Sequence, residues 1–549
     1  MIVIGYWPSS EGVISDSRGN ALPVEELGEV LEMLLEPYKQ QGEVTQVWKM
    51  AWDIDDLVIP ILKLLPPDQL RILGETERCE FYVDLKDGGI KRIRLFYPRS
   101  QGIGLCFSIN DKSSGNEVVI WHLGSFVPDG VESPKDAVEV EMYARKILGI
   151  FAKQLGYEPV PGYFFSPVNV VRPYISRMSL PRIEELPPKV ANYASKCMAP
   201  PFVEAVQIGH FPNTTDVDLK NAYAGVLSRL PDWRLGQFTE GKEYEPKAML
   251  GYCCCDLEIS KDVKLHPILT EVEDSTEGMV ISATGTQKGK YLTKGQIDFI
   301  RHFKIGEVSI LDGVWWFPQE GKQLRQPLKT VIDRLTRKRE ELTKQEKEVD
   351  RLLGRFEAKK ILTGLWGLTA EWRWEESKDP GDFYNPIWAA EITTRIAMRV
   401  AAFAYRKKLI DHIIHIAVDG FTTDCPVVLT PEEESSGWKT EDVGESLCLS
   451  KDFSWLSNKK PGGLYLKDVL QMIRANPKNN LWSRKYHRRA TLGDALQRGD
   501  LNLMGRTINC SSTVTLDQQH NRHFARLPKD GQSLLSKRYR SKLIELKEA

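Results

Sequence analysis

The chain has 549 residues, 74 Lys and Arg against 75 Asp and Glu for a formal charge of −1, and 42% hydrophobic residues. A chain this long is expected to hold several domains, and no apolar run approaches the ~18–20 residues of a membrane-spanning helix, so no membrane partner is expected. With no signal peptide or lipidation motif the expected setting is cytoplasmic.

Taken in chain order, MIVIGYWPSS at the N-terminus reads as a strand, and a proline-rich connector runs from about Ser166 to Pro212. Asp218 ends the alternating stretch TTDVDL and precedes the helix-compatible NAYAGVL, which puts its carboxylate where a strand gives way to a turn. Cys253, Cys254 and Cys255 lie in an apolar strand-like run where alternate side chains face opposite ways. A zinc site needs convergent pairs such as Cys-x-x-Cys, so these three and the other six cysteines read as reduced structural thiols. Between Pro327 and Trp366, apolar positions Leu328, Val331, Ile332 and Leu335, then Val349, Leu352, Leu353 and Phe356, predict two antiparallel helices separated by REELTKQEKE. On the second, Lys359, Thr363, Trp366 and Gly367 fall on one face, and the seven residues from Lys359 to Trp366 span roughly 10 Å. EWRWEESKDPGDFYNP follows as a Trp-rich and Pro-rich loop. Asp419 sits between IIHIAV and FTTD, and its Asp-Gly pair predicts a two-residue hairpin turn with the carboxylate at the tip. From Ser457 to the C-terminus, nineteen Lys or Arg stand against seven Asp or Glu, with basic residues interleaved with aromatics in WSRKYHRRA and SKRYRSK. Such a face suits the phosphate backbone of nucleic acid.

Two carboxylates from separate strands can bridge a pair of divalent cations roughly 3.5–4 Å apart, the arrangement that phosphoryl transfer from a nucleoside triphosphate requires. A lysine able to reach phosphates and an aromatic wall for a base lie on one helix between them. Each residue alone has an ordinary structural reading; the order and spacing together point to nucleotidyl transfer.

In these segments the chain resembles family B DNA polymerases, in particular the branch of protein-primed phage and linear-plasmid or organellar-plasmid enzymes. That family's motifs run Asp-x-x-Ser-Leu-Tyr, Lys-x-x-x-Asn-Ser-x-Tyr-Gly and Asp-Thr-Asp-Ser, in the order of DLKNAY, KKILTGLWG and IAVDGF here. The resemblance implies an α/β multidomain chain, a ribonuclease H-like exonuclease-type domain followed by a right-hand polymerase of palm, fingers and thumb. It implies that Asp218 and Asp419 are the catalytic metal ligands, for Mg²⁺ or alternatively Mn²⁺, and that the Tyr223 ring excludes a ribose 2′-hydroxyl. Lys359 resembles the triphosphate-binding lysine, with Arg334 or Lys338 as companion. Trp366 and Gly367 take the places of the Tyr-Gly pair that packs against the nascent base pair, and Lys451 matches a lysine contacting the primer terminus. Arg484, Lys485, Arg488, Arg489 and Arg538 are the expected contacts of the basic C-terminal region with a DNA primer–template. The departures are Asn221 for the usual serine, Thr363-Gly364 for Asn-Ser, and Ala417 for the first aspartate of the third motif.

The resemblance covers roughly the whole length. It implies domains at 1–165 (degenerate exonuclease-like), 166–212 (connector), 213–320 and 379–450 (palm), 321–378 (fingers) and 451–549 (thumb). WKMAWDIDDL resembles the second exonuclease motif, with Asp55 in or near the metal-binding place, but the first strand carries glycine, tyrosine and tryptophan where carboxylates belong. The third motif appears as YARKIL from Tyr143, with Lys146 near the expected acid. A two-metal hydrolytic site lacks its ligands here, so the domain is expected not to proofread. APPFVEA from Ala199 occupies the place of the family's linker motif, and only about fifty residues separate Gly367 from Asp419, too few to assume the insertion that supports strand displacement. The leading expectation is a template-directed DNA polymerase using dNTPs. A primer-making or terminal-transferase activity, and a non-catalytic DNA-binding relative, stand beside it, and a terminal protein or other replication factor is not specified.

Overall fold

The computed structural model describes residues 2–546 except 10–12, 36–38, 41–42, 45–46, 85–89, 98, 101–102, 105, 113–116, 129–130, 157–158, 160–168, 272–279, 343, 345–347, 371–380, 457–463, 499, 519 and 521. Most of the Trp-rich loop expected after Gly367 therefore lies outside the described residues. The chain divides into two compact units: Met1–Met178 with Arg334–Gly364 and Tyr486–Cys510, and Ser179–Asp333 with Leu365–Lys485 and Ser511–Ala549. The region expected as a single thumb is thus shared between them.

The first unit is built on an eight-stranded mixed sheet. Strand β1 (Ile2–Pro8) lies parallel to β2 (Val47–Ala51), with Gly5 opposite Met50 and Tyr6 opposite Ala51. Tyr6 is fully buried, and so are Ile54, Leu57, Val58, Ile61 and Leu62 of the helix Ile54–Leu62, which share its core. Helix α1 (Ala137–Leu155) starts where the Asp136 side chain accepts from the Glu139 amide and stops at Gly156, whose φ of +76° suits glycine. It packs on β1 so closely that a Cβ on Gly5 would lie 2.2 Å from the Ala137 carbonyl oxygen. Asp55 accepts a hydrogen bond from the Tyr97 hydroxyl, and the Tyr143 ring sits 5.2 Å from that of Trp52.

In the second unit, β3 (Gln207–Leu219) runs into helix α2 (Ala222–Leu227) through Asn221, at φ +50° and ψ +38°. Asparagine tolerates this left-handed conformation better than most residues. Helix α3 (Lys294–Phe303) opens on a capping box between Thr293 and Gln296. Two helices follow as the periodicity predicts, α4 (Lys329–Leu342) and α5 (Glu348–Ala370), of which Arg334–Gly364 belongs to the first unit. Helix α6 (Pro386–Arg406), capped by Asn385, leads to the hairpin of β4 (Ile413–Ala417) and β5 (Gly420–Thr423), then to β6 (Trp438–Cys448). Near the C-terminus β7 (Leu481–Arg489) pairs with Thr507–Thr515.

The sheet that positions the expected site has the order Val203–Ala205, β4, β5, β3, β6, Ser454–Trp455, with antiparallel neighbours. Helix α6 covers one face, where the Phe403 ring stacks 4.1 Å from Trp438 of β6 and lies 6.0 Å from Phe421 of β5. Strand alternation sends their neighbours Gly420 and Lys439 to the opposite face. A second sheet pairs Leu250–Ile259 with Val280–Thr293 and Gly306–Pro318. In its central strand Cys253 and Cys255 are buried and Cys254 is half-buried, and all nine cysteines are free thiols.

Candidate active site

Asp218 is the penultimate residue of β3, directly opposite Gly420 of β5. Glycine is required there: a Cβ at position 420 would lie 2.6 Å from the Val217 carbonyl oxygen and 3.2 Å from an Asp218 carboxylate oxygen. The contact brings the two acidic residues together, and the Leu219 amide donates to the Asp419 carbonyl at 3.0 Å.

Asp419 sits at the hairpin tip, as expected, but the Asp-Gly pair is not the turn. Ala417 pairs with Gly420, so the two loop residues are Val418 and Asp419. The Asp419 amide donates to the Ala417 carbonyl at 2.7 Å, closing a three-residue turn around Val418, whose φ is +60°. A β-branched residue in that region is strained, by about 1–3 kcal/mol. Gly420 supplies close strand approach instead of turn geometry.

Burial, and then the charge of Asp218, push the Asp419 carboxyl up to about 6. Two oxygen-donor carboxylates that repel each other in a partly buried site suit a hard divalent cation such as Mg²⁺ or Mn²⁺. Lys439 of β6, opposite Asp218 in register, makes an ion pair with it at 3.0 Å and a second with Glu441. Burial opposes the lysine's charge, but its hydrogen bonds to Glu441 and Asp218 outweigh that and hold its pKa above the ordinary value. Sequence reasoning missed this lysine. The passage GWKTED was in view, but only the strand register places Lys439 on a residue more than two hundred positions earlier.

Tyr223, on α2, stacks on Trp366 of α5 with ring centroids 4.6 Å apart and planes 17° apart. Burial, then the Asp419 charge, push the Tyr223 hydroxyl up to about 12. Four of the expected residues, Asp218, Asp419, Tyr223 and Trp366, therefore share one place. Gly367 has open space where a side chain would be. Lys359 is exposed two turns earlier on α5, and its carbonyl accepts from the Thr363 hydroxyl at 2.9 Å.

Other expected contacts have partners of their own. The Arg334 guanidinium lies 5.5 Å from the Tyr174 ring centroid and donates to its hydroxyl at 2.8 Å, and Lys338 pairs with Glu341 at 2.6 Å. Arg484 pairs with Asp468, and Arg488 makes a two-pronged pair with Asp494, each at 2.6 Å. Arg538 reaches Asp424 at 3.2 Å and lies over the Phe211 ring. Lys485 is exposed, the Lys451 carbonyl accepts from the His415 ring at 2.8 Å, and the Arg489 side chain lies outside the described residues. Asp424 sits at the far end of the β4–β5 hairpin from Asp419, hydrogen-bonded to His412 at 2.8 Å; among the described residues, His412, Asp424 and Cys425 are the one trio of potential metal-ligating side chains close enough to share an ion.

No protein-family model matches the sequence, and no curated protein matches it. Solved structures do. Phi29 DNA polymerase complexed with primer-template DNA and incoming nucleotide substrates aligns at a TM-score of 0.57 and 10% identity, over 94% of this chain and 99% of that one. The same polymerase with primer-template DNA, in a post-translocation binary complex, aligns at 0.56 and 11%, over 94% and 100%. Its complex with single-stranded DNA aligns at 0.53 and 11%, over the same shares. The chain therefore has the fold of phi29 DNA polymerase over nearly its whole length.

Proposed function

We propose that the chain is a template-directed DNA polymerase that adds dNTPs to a primer 3′-hydroxyl and does not proofread. The observation that carries this reading is the convergence of Asp218 and Asp419, drawn together by Gly420, beside the stacked Tyr223 and Trp366. The phi29 structures hold primer-template DNA and incoming nucleotides on the same fold, which supports DNA and dNTPs as partners.

In this reading the primer 3′ oxygen forms a bond to the α-phosphorus of the dNTP. The bond from that phosphorus to the bridging oxygen breaks, pyrophosphate leaves, and the hydroxyl proton passes to solvent. Asp218 and Asp419 would hold Mg²⁺, which when bound neutralises phosphate charge and lowers the pKa of the attacking hydroxyl. Lys439, ion-paired to both Asp218 and Glu441, holds the Asp218 carboxylate in place. The Tyr223 ring, held flat against Trp366, blocks a 2′-hydroxyl, and Lys359 meets the triphosphate. Loss of editing is supported by β1, where Gly5 is pressed against α1 and Tyr6 is core, so neither position offers a carboxylate to a metal.

One observation favours a second reading, a DNA-binding relative without turnover: an ammonium group already neutralises Asp218. Primer extension with dNTPs or NTPs on a primer–template, including a mismatched 3′ end, separates the two. The proposal expects templated dNTP extension with the mismatch retained. Salt-sensitive DNA binding with no extension in Mg²⁺ or Mn²⁺ would favour the second reading, and removal of the mismatch would refute the loss of editing.

A further inference from the structure

On the α6 face of the sheet, opposite the carboxylates, lies a pocket of about 800 Å³. Its walls come from α3, α6, Trp438 of β6, the short helix Pro431–Ser435, and the end of α2 with Arg229. Four guanidiniums line it, of which Arg229, Arg399 and Arg406 are three. Arg399 and Arg406, seven residues apart on α6, share a helix face. None of the three makes an ion pair among the described residues; Arg399 donates to the Ser436 carbonyl at 3.0 Å. Burial, and then the charges of Arg229 and Arg406, hold the Arg399 pKa below its ordinary value.

The carboxylates of the pocket are mostly committed. Asp298 accepts from Lys294 at 2.8 Å and also from Tyr244, and Glu433 takes Lys407 at 2.7 Å and caps its own helix through the Thr430 amide. A fourth arginine, Arg395, is paired with the buried Glu391 at 2.5 Å. That leaves the exposed Glu432, and the partial influence of Glu433 on Arg406, against three guanidiniums that have no ion-pair partner among the described residues. Between them the wall is apolar, from Phe299 and Phe303 of α3 and from Met398 and Ala402 of α6.

Guanidinium forks match phosphate oxygens, and the volume is that of a small-molecule site. An inorganic anion would use the arginines and leave the apolar wall wet. We propose that this pocket is a second nucleotide site, in which Arg229, Arg399 and Arg406 take the phosphates and the apolar wall of α3 and α6 takes the base. It is separate from the transfer site and does not depend on the polymerase reading, although β6 runs past both, presenting Trp438 to one and Lys439 to the other.

The test is equilibrium binding of a fluorescent adenosine diphosphate to the full chain in EDTA. Wild type is expected to bind saturably. The double variant Arg399→Gln, Arg406→Gln should bind at least about tenfold more weakly, since each lost charge-assisted contact removes roughly a factor of ten or more. Arg229→Gln, at an exposed position where folding is not at stake, should weaken binding in the same direction, and Lys359→Ala should leave it unchanged. Binding that survives all the arginine changes, binding lost in Lys359→Ala alone, no saturable binding, or equal competition by inorganic pyrophosphate and by the nucleotide would each overturn the proposal.

Discussion

Asp419 has the most unusual environment of the residues in the candidate site. An unfolded aspartate titrates near 3.9, while the folded one, buried beside Asp218, holds its proton up to about 6. Between those values the folded state binds the extra proton, so the metal-free protein is expected to lose stability as pH rises from about 4 to about 6. Asp419→Asn removes that dependence and should stabilise the protein in EDTA at neutral pH by about 1–2 kcal/mol, allowing for solvent screening; urea unfolding at pH 4.5 and 7.5 checks both. Metal binding needs the ionised form, so Mg²⁺ affinity and activity at limiting Mg²⁺ should fall below pH 6. Equal Mg²⁺ titrations at pH 5.5 and 7.5 would contradict the assignment. Tyr223→Ala should relax sugar choice, seen as NTP incorporation relative to dNTP rising by about tenfold or more, the scale of a single lost steric discrimination.

At the scale of elements, the site depends on how closely β3 and β5 approach. Gly420→Ala would drive a methyl into the Val217 carbonyl, costing about 1–3 kcal/mol and displacing the hairpin tip. A shift of about 1 Å at the reacting groups lowers turnover by about a hundredfold, so this variant should remain folded by circular dichroism yet extend primers poorly. The hairpin, the strand before Asp218 and the helices α4 and α5 were legible because alternation and 3.6-residue periodicity are local signals. The role of Gly420 was not, because an Asp-Gly pair signals a turn locally and its close approach to Val217 depends on a strand two hundred residues away. The same limit hid Lys439. For Arg484 and Arg488 the sequence conveyed charge but not the acidic partners, Asp468 and Asp494, that the fold brings to them.

At the scale of the whole molecule, the C-terminal segment of the second unit is fastened to its main sheet by a buried ion pair. The Arg522 guanidinium, 1% exposed, bonds the fully buried Glu204 carboxylate, the Lys264 carbonyl and the Ser541 hydroxyl. Removing one partner leaves an uncompensated charge, so Arg522→Ala should cost about 3–5 kcal/mol, while the pair Arg522→Met, Glu204→Leu should recover most of it; denaturant unfolding of the two variants tests this. Motif order along the chain gives an expected order of domains. The division into two compact units could not be read from it, because each unit is assembled from three separate stretches and contact between distant segments has no local signature.

Nucleotidyl transfer is proposed to rest on Asp218 and Asp419. That assignment is tested most directly by single-turnover extension of a labelled primer on a DNA template with Mg²⁺ and dNTPs, comparing wild type with Asp419→Asn. Wild type is expected to extend the primer by template and the variant to lose about a thousandfold or more in rate, with primer–template binding retained. Extension at equal rates by both proteins would contradict it.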